Sequence, residues 1–174
     1  MSDAGRLYQA ILKNLFDLFP EMLEDNVMTL AMMVTGILRA RSGQLTKMAS
    51  KVSYPHQKTS LVDRFRRLVK NENIIVDVVF NPVAQLFLSC LSATRVVLAI
   101  DTTKIGGNCI CLMLSVHYKS RALPLVWLVY KGRKGHSPQR LQLELLETAK
   151  TYIPDGCEVI LLGDGEFDNN QIIK

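Results

Sequence analysis

At 174 residues, 48% apolar and 21% charged, the chain has a globular composition, enough for about one to one and a half domains, which excludes a disordered tail. The longest apolar stretch, residues 27–38, is broken by Thr29, Thr35 and Gly36 and is too short to span a bilayer; "MSDAGRLYQ" carries Asp3 where a secretory signal carries positive charge. A soluble cytoplasmic protein with no membrane partner is therefore expected, and the distribution of its net charge of +5 says more than its size.

The first half reads as helical, to about residue 92. In "AGRLYQAILKNLFDLF", Leu7, Ile11 and Leu15 recur at four-residue steps, and Pro20 ends that helix. Asp25 or Asn26 can cap a second helix, "VMTLAMMVTGILRA", apolar almost all round and so expected at the centre of its unit. "LTKMASKV" and "SLVDRFRRLVK" read as two short helices separated by "SYPHQK". On the second, Leu61, Phe65, Leu68 and Val69 form the expected buried stripe, leaving Arg64, Arg67 and Lys70 outside.

From residue 93 the period changes. "RVVLAID" (95–101) is a Val-rich run expected to be a strand buried on both faces. "CICLMLSVHY" (109–118) and "ALPLVWLVY" (122–130) flank "KSR" as a hairpin, and Pro124 places the latter strand at a sheet edge. "PQRLQLELLETAKTYI" is helical, "CEVILLGD" (157–164) is a further buried run, and Asn169–Lys174 begins another helix. The order predicts an antiparallel three-stranded meander, a crossover helix, and a fourth strand parallel to the first. Cys90, Cys109, Cys111 and Cys157 have no metal-ligand spacing; Cys109 and Cys111 share one sheet face and are expected to be reduced structural thiols.

Both "VVLAID" and "VILLGD" finish on aspartate. If the two strands are parallel neighbours, Asp101 and Asp164 stand side by side at the carboxyl ends of the sheet, where open α/β sheets place their sites. Two carboxylates so close repel each other and call for a compensating cation; hard oxygen ligands suit Mg²⁺ or Mn²⁺. Either aspartate alone would be read as a turn former or helix cap, and only the pairing points to chemistry.

"LAIDTTKIGGNCICLMLSVHYKSRALPLVWLVYKG" followed by "LLGDGEFDN" resembles the catalytic core of insertion-sequence transposases of the DDE class, over residues 93–174. The resemblance implies an incomplete RNase H-like mixed sheet, a three-stranded antiparallel meander plus a parallel strand, preceded by an all-α region. It divides the chain into a helical, DNA-binding part (1–92) and a truncated RNase H-like catalytic part (93–174). It implies Asp101 and Asp164 as catalytic metal ligands for Mg²⁺ or Mn²⁺, with element-end cleavage and strand transfer by two-metal phosphodiester chemistry. A third carboxylate, a glutamate flanked by tyrosine, arginine and lysine on a later helix, is also implied. This sequence lacks it; Glu166 and Asp168 lie at the start of the next helix instead, and the chain is expected to stop in mid-domain and to be inactive alone.

Between Arg39 and Lys70 stand nine basic residues, Arg39, Arg41, Lys47, Lys51, Lys58, Arg64, Arg66, Arg67 and Lys70, with Asp63 as the one acid. A charged helix face is ordinarily just a solvated face. Beside a transposase-like core, a helix-turn-helix with Lys58, Arg64, Arg66, Arg67 and Lys70 on DNA phosphates becomes the better reading. Lys131, Arg133, Lys134 and Arg140 form a second basic cluster that could also face DNA. The partners implied are element-end and target DNA, with a homodimer or full-length transposase left open. The rival is a non-catalytic DNA-binding fragment that acts as a binder or inhibitor of transposition.

Overall fold

The computed structural model describes residues 2–53, 58–74, 76–91, 95–135 and 137–167. The chain forms two compact units, Met1–Val83 and Ala84–Lys174. The first is helical: α1 (Asp3–Leu18), α2 (Glu24–Ala40), α3 (Leu45–Ser50), α4 (Lys58–Val69) and the beginning of α5 (Val76–Cys90), within which the unit boundary falls. The second holds β1 (Arg95–Gly106), β2 (Cys109–Tyr118), β3 (Arg121–Lys131), α6 (Gln139–Lys150), β4 (Glu158–Leu162) and a 3-10 turn, Gly165–Phe167. The architecture is α/β with an N-terminal helical region.

α1 starts where the Ser2 side chain accepts a hydrogen bond from the Gly5 amide, and it ends before Pro20, as the sequence predicts. α2 starts earlier than expected: Leu23 occupies its cap position, so Asp25 and Asn26 lie inside its first turn, where Glu24 and Asp25 complement the helix dipole. α2 is central, packing on α1, α3 and α4, although Ile37 and Leu38 on its far side stay exposed. The helical core gathers Met32, Met48, Ala49, Leu61, Val62 and Phe65, with Phe65 and Leu61 fully buried. The buried stripe of α4 is thus Leu61, Val62 and Phe65; Val69, expected inside, is 68% exposed.

α5 falls within the stretch read as helical to about residue 92, without having been named as a separate helix. Its opening, "VDVVFNP", is rich in β-branched residues that favour strands, and Pro82 sits inside the helix. The helix expected over Asn169–Lys174 lies outside the described residues, as does Asp168.

The sheet order is β3-β2-β1-β4. β1, β2 and β3 form the expected antiparallel meander and β4 pairs parallel with β1, from Arg95↔Glu158 to Ala99↔Leu162. β1 runs five residues further than its apolar core and turns into β2 through Gly106, Gly107 and Asn108, all with positive φ, a path that glycine takes without strain. β3 is an outer strand, consistent with Pro124, and the ladder shifts register between Leu114 and Ser115 beside it. One face of the meander is the core: Val96, Leu98, Ile100, Ile110, Leu112, Leu114 and Val116 are all buried. β1 is less enclosed than predicted, its alternate residues Val97 and Ala99 being half-buried. β4 also departs from a doubly buried strand: it forms the other border of the sheet, with Val159 and Leu162 exposed.

α2 and α3 approach closely at Gly36, where an added Cβ would lie 2.9 Å from the Met48 carbonyl oxygen. Gly36→Ala is expected to destabilise the helical unit by about 1–3 kcal/mol in chemical denaturation, steric overlap outweighing the ~1 kcal/mol helix-propensity gain of alanine. Gly43→Ala, where a Cβ meets nothing within 4 Å, is expected to leave the midpoint within error.

Candidate functional site

The carboxyl ends of β1 and β4 define the candidate site. In a parallel pair, residues in register point to the same face of the sheet. The ladder ends at Ala99↔Leu162, and Asp101 and Asp164 each lie two residues beyond that last pair. Gly163 keeps the chains together past the last paired residue: a Cβ there would lie 3.0 Å from Ile100 Cγ2 and 3.1 Å from Phe167 Cβ. A side chain there would require Ile100 or Phe167 to give by a few tenths of an ångström. The following turn closes through the Phe167 amide, which donates to the Asp164 carbonyl at 3.0 Å, and the Phe167 ring is buried. The motif "GDGEF" thus forms a tight turn directly after β4, with Asp164 at its start.

Asp101 is exposed, and its Oδ1 accepts a hydrogen bond from the Thr102 amide at 2.7 Å, so one carboxylate oxygen is held by backbone. Thr102 itself is 1% exposed, which anchors the strand immediately after the aspartate. Asp164 is exposed as well. Two exposed carboxylates at neighbouring strand ends can hold a hard divalent cation that keeps several waters, the manner in which Mg²⁺ is ordinarily bound by one or two carboxylates plus phosphate oxygens. Among the described residues no cluster of three or more metal-ligating side chains occurs.

Cys111 is buried on β2, and burial pushes its thiol above the ordinary range; Cys90 is exposed.

The five basic residues expected to act together on α4 divide into two groups. Arg64 turns inward: its Nε donates to Thr29 Oγ1 at 2.7 Å and its Nη2 to Asp25 Oδ1 at 2.9 Å, tying α4 to the first turn of α2. The same guanidinium offsets part of the burial that raises the Tyr8 hydroxyl above its ordinary range. Arg66 pairs with Asp63 at 2.7 Å, one turn back on the same helix. Lys58, Arg67 and Lys70 are exposed and make no ion pair among the described residues. Arg67 and Asn71 line a polar recess of about 250 Å³ together with Asn26 and Thr29. The structural duty of Arg64 was not visible in sequence, because its acceptors lie 35 and 39 positions away.

No family model, no curated protein and no solved structure matches this chain.

Arg64→Ala is expected to lower the stability of the helical unit by on the order of 1–2 kcal/mol, since it removes hydrogen bonds to a partly buried charged group, whereas Arg67→Ala stays within about 0.5 kcal/mol. Urea titrations of the two variants distinguish them. Thiol alkylation provides a separate check. A raised thiol pKa lowers the thiolate fraction at any given pH, so at mildly alkaline pH Cys90 is expected to be labelled first and Cys111 only after unfolding. Equal labelling rates in the folded protein would contradict the burial of β2.

Proposed function

We propose that this chain carries part of the catalytic core of a DNA transposase of the DDE class, with Asp101 and Asp164 as two of its metal-binding carboxylates. The observation that carries the reading is the parallel register of β1 and β4, with an aspartate two residues beyond the last pair on each chain, at one edge of a mixed sheet. Also in its favour is the sheet's build, a three-stranded antiparallel meander joined through α6 to a parallel strand, the pattern that an RNase H-like core requires.

In this reading Asp101 and Asp164 hold Mg²⁺ or Mn²⁺ through their carboxylate oxygens. A divalent ion held there would supply Lewis-acid chemistry for phosphodiester displacement. The protein's own part is positional. The Thr102 amide orients Asp101, and Gly163 with Phe167 fixes where Asp164 stands. In the helical unit, Lys58, Arg67 and Lys70 neutralise DNA phosphates, while Arg64 keeps α4 in place and Arg66 is half-committed to Asp63.

The test uses the full chain. Mn²⁺ titration followed by electron paramagnetic resonance is expected to reveal a site whose affinity falls sharply in both Asp101→Asn and Asp164→Asn. Binding to a DNA duplex in EDTA is expected to persist in both variants and to weaken as salt rises. Mn²⁺ binding indifferent to both substitutions removes the catalytic reading. If DNA binding nevertheless survives, the protein is a metal-independent DNA binder, which acts on transposition by occupying element ends.

A further inference from the structure

α2 turns toward solvent a side that carries no charge. From Asn26 to Leu38 the helix holds not one ionisable residue. A helix apolar all round is ordinarily enclosed on every side. Here one side is enclosed, with Met32, Thr35 and Gly36 buried among the neighbouring helices, and the other is not. Helical spacing puts Leu23, Asn26, Leu30, Val34 and Ile37 along that second side. Leu30 and Val34 are half-buried, Ile37 is 41% exposed and Leu23 is 74% exposed. At its N-terminal end the stripe opens onto an apolar recess of about 350 Å³, which Leu23 and Asn26 line together with Phe19, Met22, Val79 and Glu21. At its other end stands Arg41, which closes α2 in the left-handed conformation, φ 49° and ψ 38°. Glycine is the usual residue in that conformation, and a residue with a Cβ is held there at a cost of about 1 kcal/mol. Arg39 donates to the Lys51 carbonyl, whereas Arg41, Glu21 and Glu24 are exposed and make no salt bridge among the described residues.

We propose that this side of α2 is a self-association surface, on which a second copy of the chain packs its own α2 antiparallel to the first. The inference goes beyond the transposase reading and does not depend on it. In that arrangement the helix is complementary to itself. Glu21 and Glu24 stand at its start and Arg41 at its end, so reversal brings unlike charges together at both ends and opposes the two helix dipoles. A two-fold axis beside Leu30 gives the register. Leu23 and Ile37 each lie seven residues from Leu30 in sequence, about 10 Å along the helix, so Ile37 of one copy meets Leu23 of the other. The exposed end of one stripe is thereby set against the apolar recess at the start of the other, and Arg41 falls beside Glu21 of the second copy. An apolar middle bordered by charged groups is the ordinary anatomy of a protein interface, and closing it removes from water the side chains that a lone copy leaves there. The left-handed arginine also acquires a reason: its guanidinium is needed where glycine would sit more easily.

Sedimentation equilibrium of the full chain over a range of concentrations reads the association directly, and a reversible monomer–dimer equilibrium is expected. Ile37→Asp is expected to raise the dissociation constant at least about tenfold. Arg41→Gly suits the left-handed backbone, so its thermal midpoint should hold or rise while the dimer weakens about three- to tenfold. That combination separates a lost contact from failed folding. Charge reversal tests the register: Arg41→Glu is expected to weaken the dimer by about tenfold, and Glu21→Arg added to it to restore most of the loss. A chain that stays monomeric up to about 1 mM overturns the proposal. So does a dimer indifferent to both Ile37→Asp and Arg41→Glu, or a double reversal that rescues nothing. If the chain is instead monomeric and binds the neutral dye Nile red in a manner that Leu23→Asp abolishes, the face serves a small apolar ligand and the proposal fails. None of these outcomes bears on Mn²⁺ binding at Asp101 and Asp164, so the two readings stand or fall separately.

Discussion

The parallel ladder between β1 and β4 is the constraint on which the candidate site depends. Five residue pairs fix the register, and the first residue beyond them, Gly163, packs closely on Ile100, which would have to give way to an added Cβ. A slip of one residue in this pairing would turn Asp164 to the other face of the sheet and separate it from Asp101. The meander supplies the rigidity behind that pairing: Leu98 and Ile100 on β1 and Leu112, Leu114 and Val116 on β2 are buried in one continuous layer. The aspartates thus stand at the exposed tip of strands whose roots are apolar and fixed. Such placement suits a polar site, since the side chains that carry charge give up little hydration while the backbone beneath them is held still.

The positive charge of this protein is spread over two surfaces with different physical duties. In the helical unit Arg64 spends its hydrogen bonds on Thr29 and Asp25, and its guanidinium is part of how α4 is held against α2. Its neighbours Arg67 and Lys70 stand outside that arrangement and keep their charge for solvent or an external anion. In the loop after β3, by contrast, Arg133 and Lys134 make no salt bridge among the described residues. A sequence census treats all of these as one basic stretch after another; geometry sorts them by whether an acceptor on the same chain reaches them first.

Much of the α/β unit was legible in the sequence because its signals are local. Continuous Val/Ile/Leu runs marked β1 and β4, Pro124 marked the outer strand, and the two terminal aspartates drew attention through their repetition. The parallel pairing followed from element order alone. What escaped depends on partners distant in sequence. The exposure of Val159 and Leu162 follows from β4 lying at a border, a fact of topology. Arg64 points inward because α2 presents acceptors to it, which a helical wheel drawn for α4 cannot include. α5 lies in the stretch read as helical, but its own bounds were not drawn, since Val, Phe and Pro in its opening argue locally against a helix. At the site, the position of each aspartate just beyond a strand of the parallel pair was readable, whereas the close packing at Gly163 emerges only from the packed strands.

The two borders of the sheet are not equivalent. β3 carries Pro124, which lacks an amide donor, and the neighbouring register shift at Leu114 and Ser115 breaks the regular spacing of its ladder. Both features discourage another strand from joining there. β4 contains no proline and no such irregularity across Glu158–Leu162. Extension of the sheet therefore has a direction: a further strand, from whatever source, can be accommodated beside β4 and is turned away beside β3. Because β4 leads straight into Asp164, any strand received on that side would arrive next to the carboxylates, and the order in which the sheet grows would decide what comes to face them.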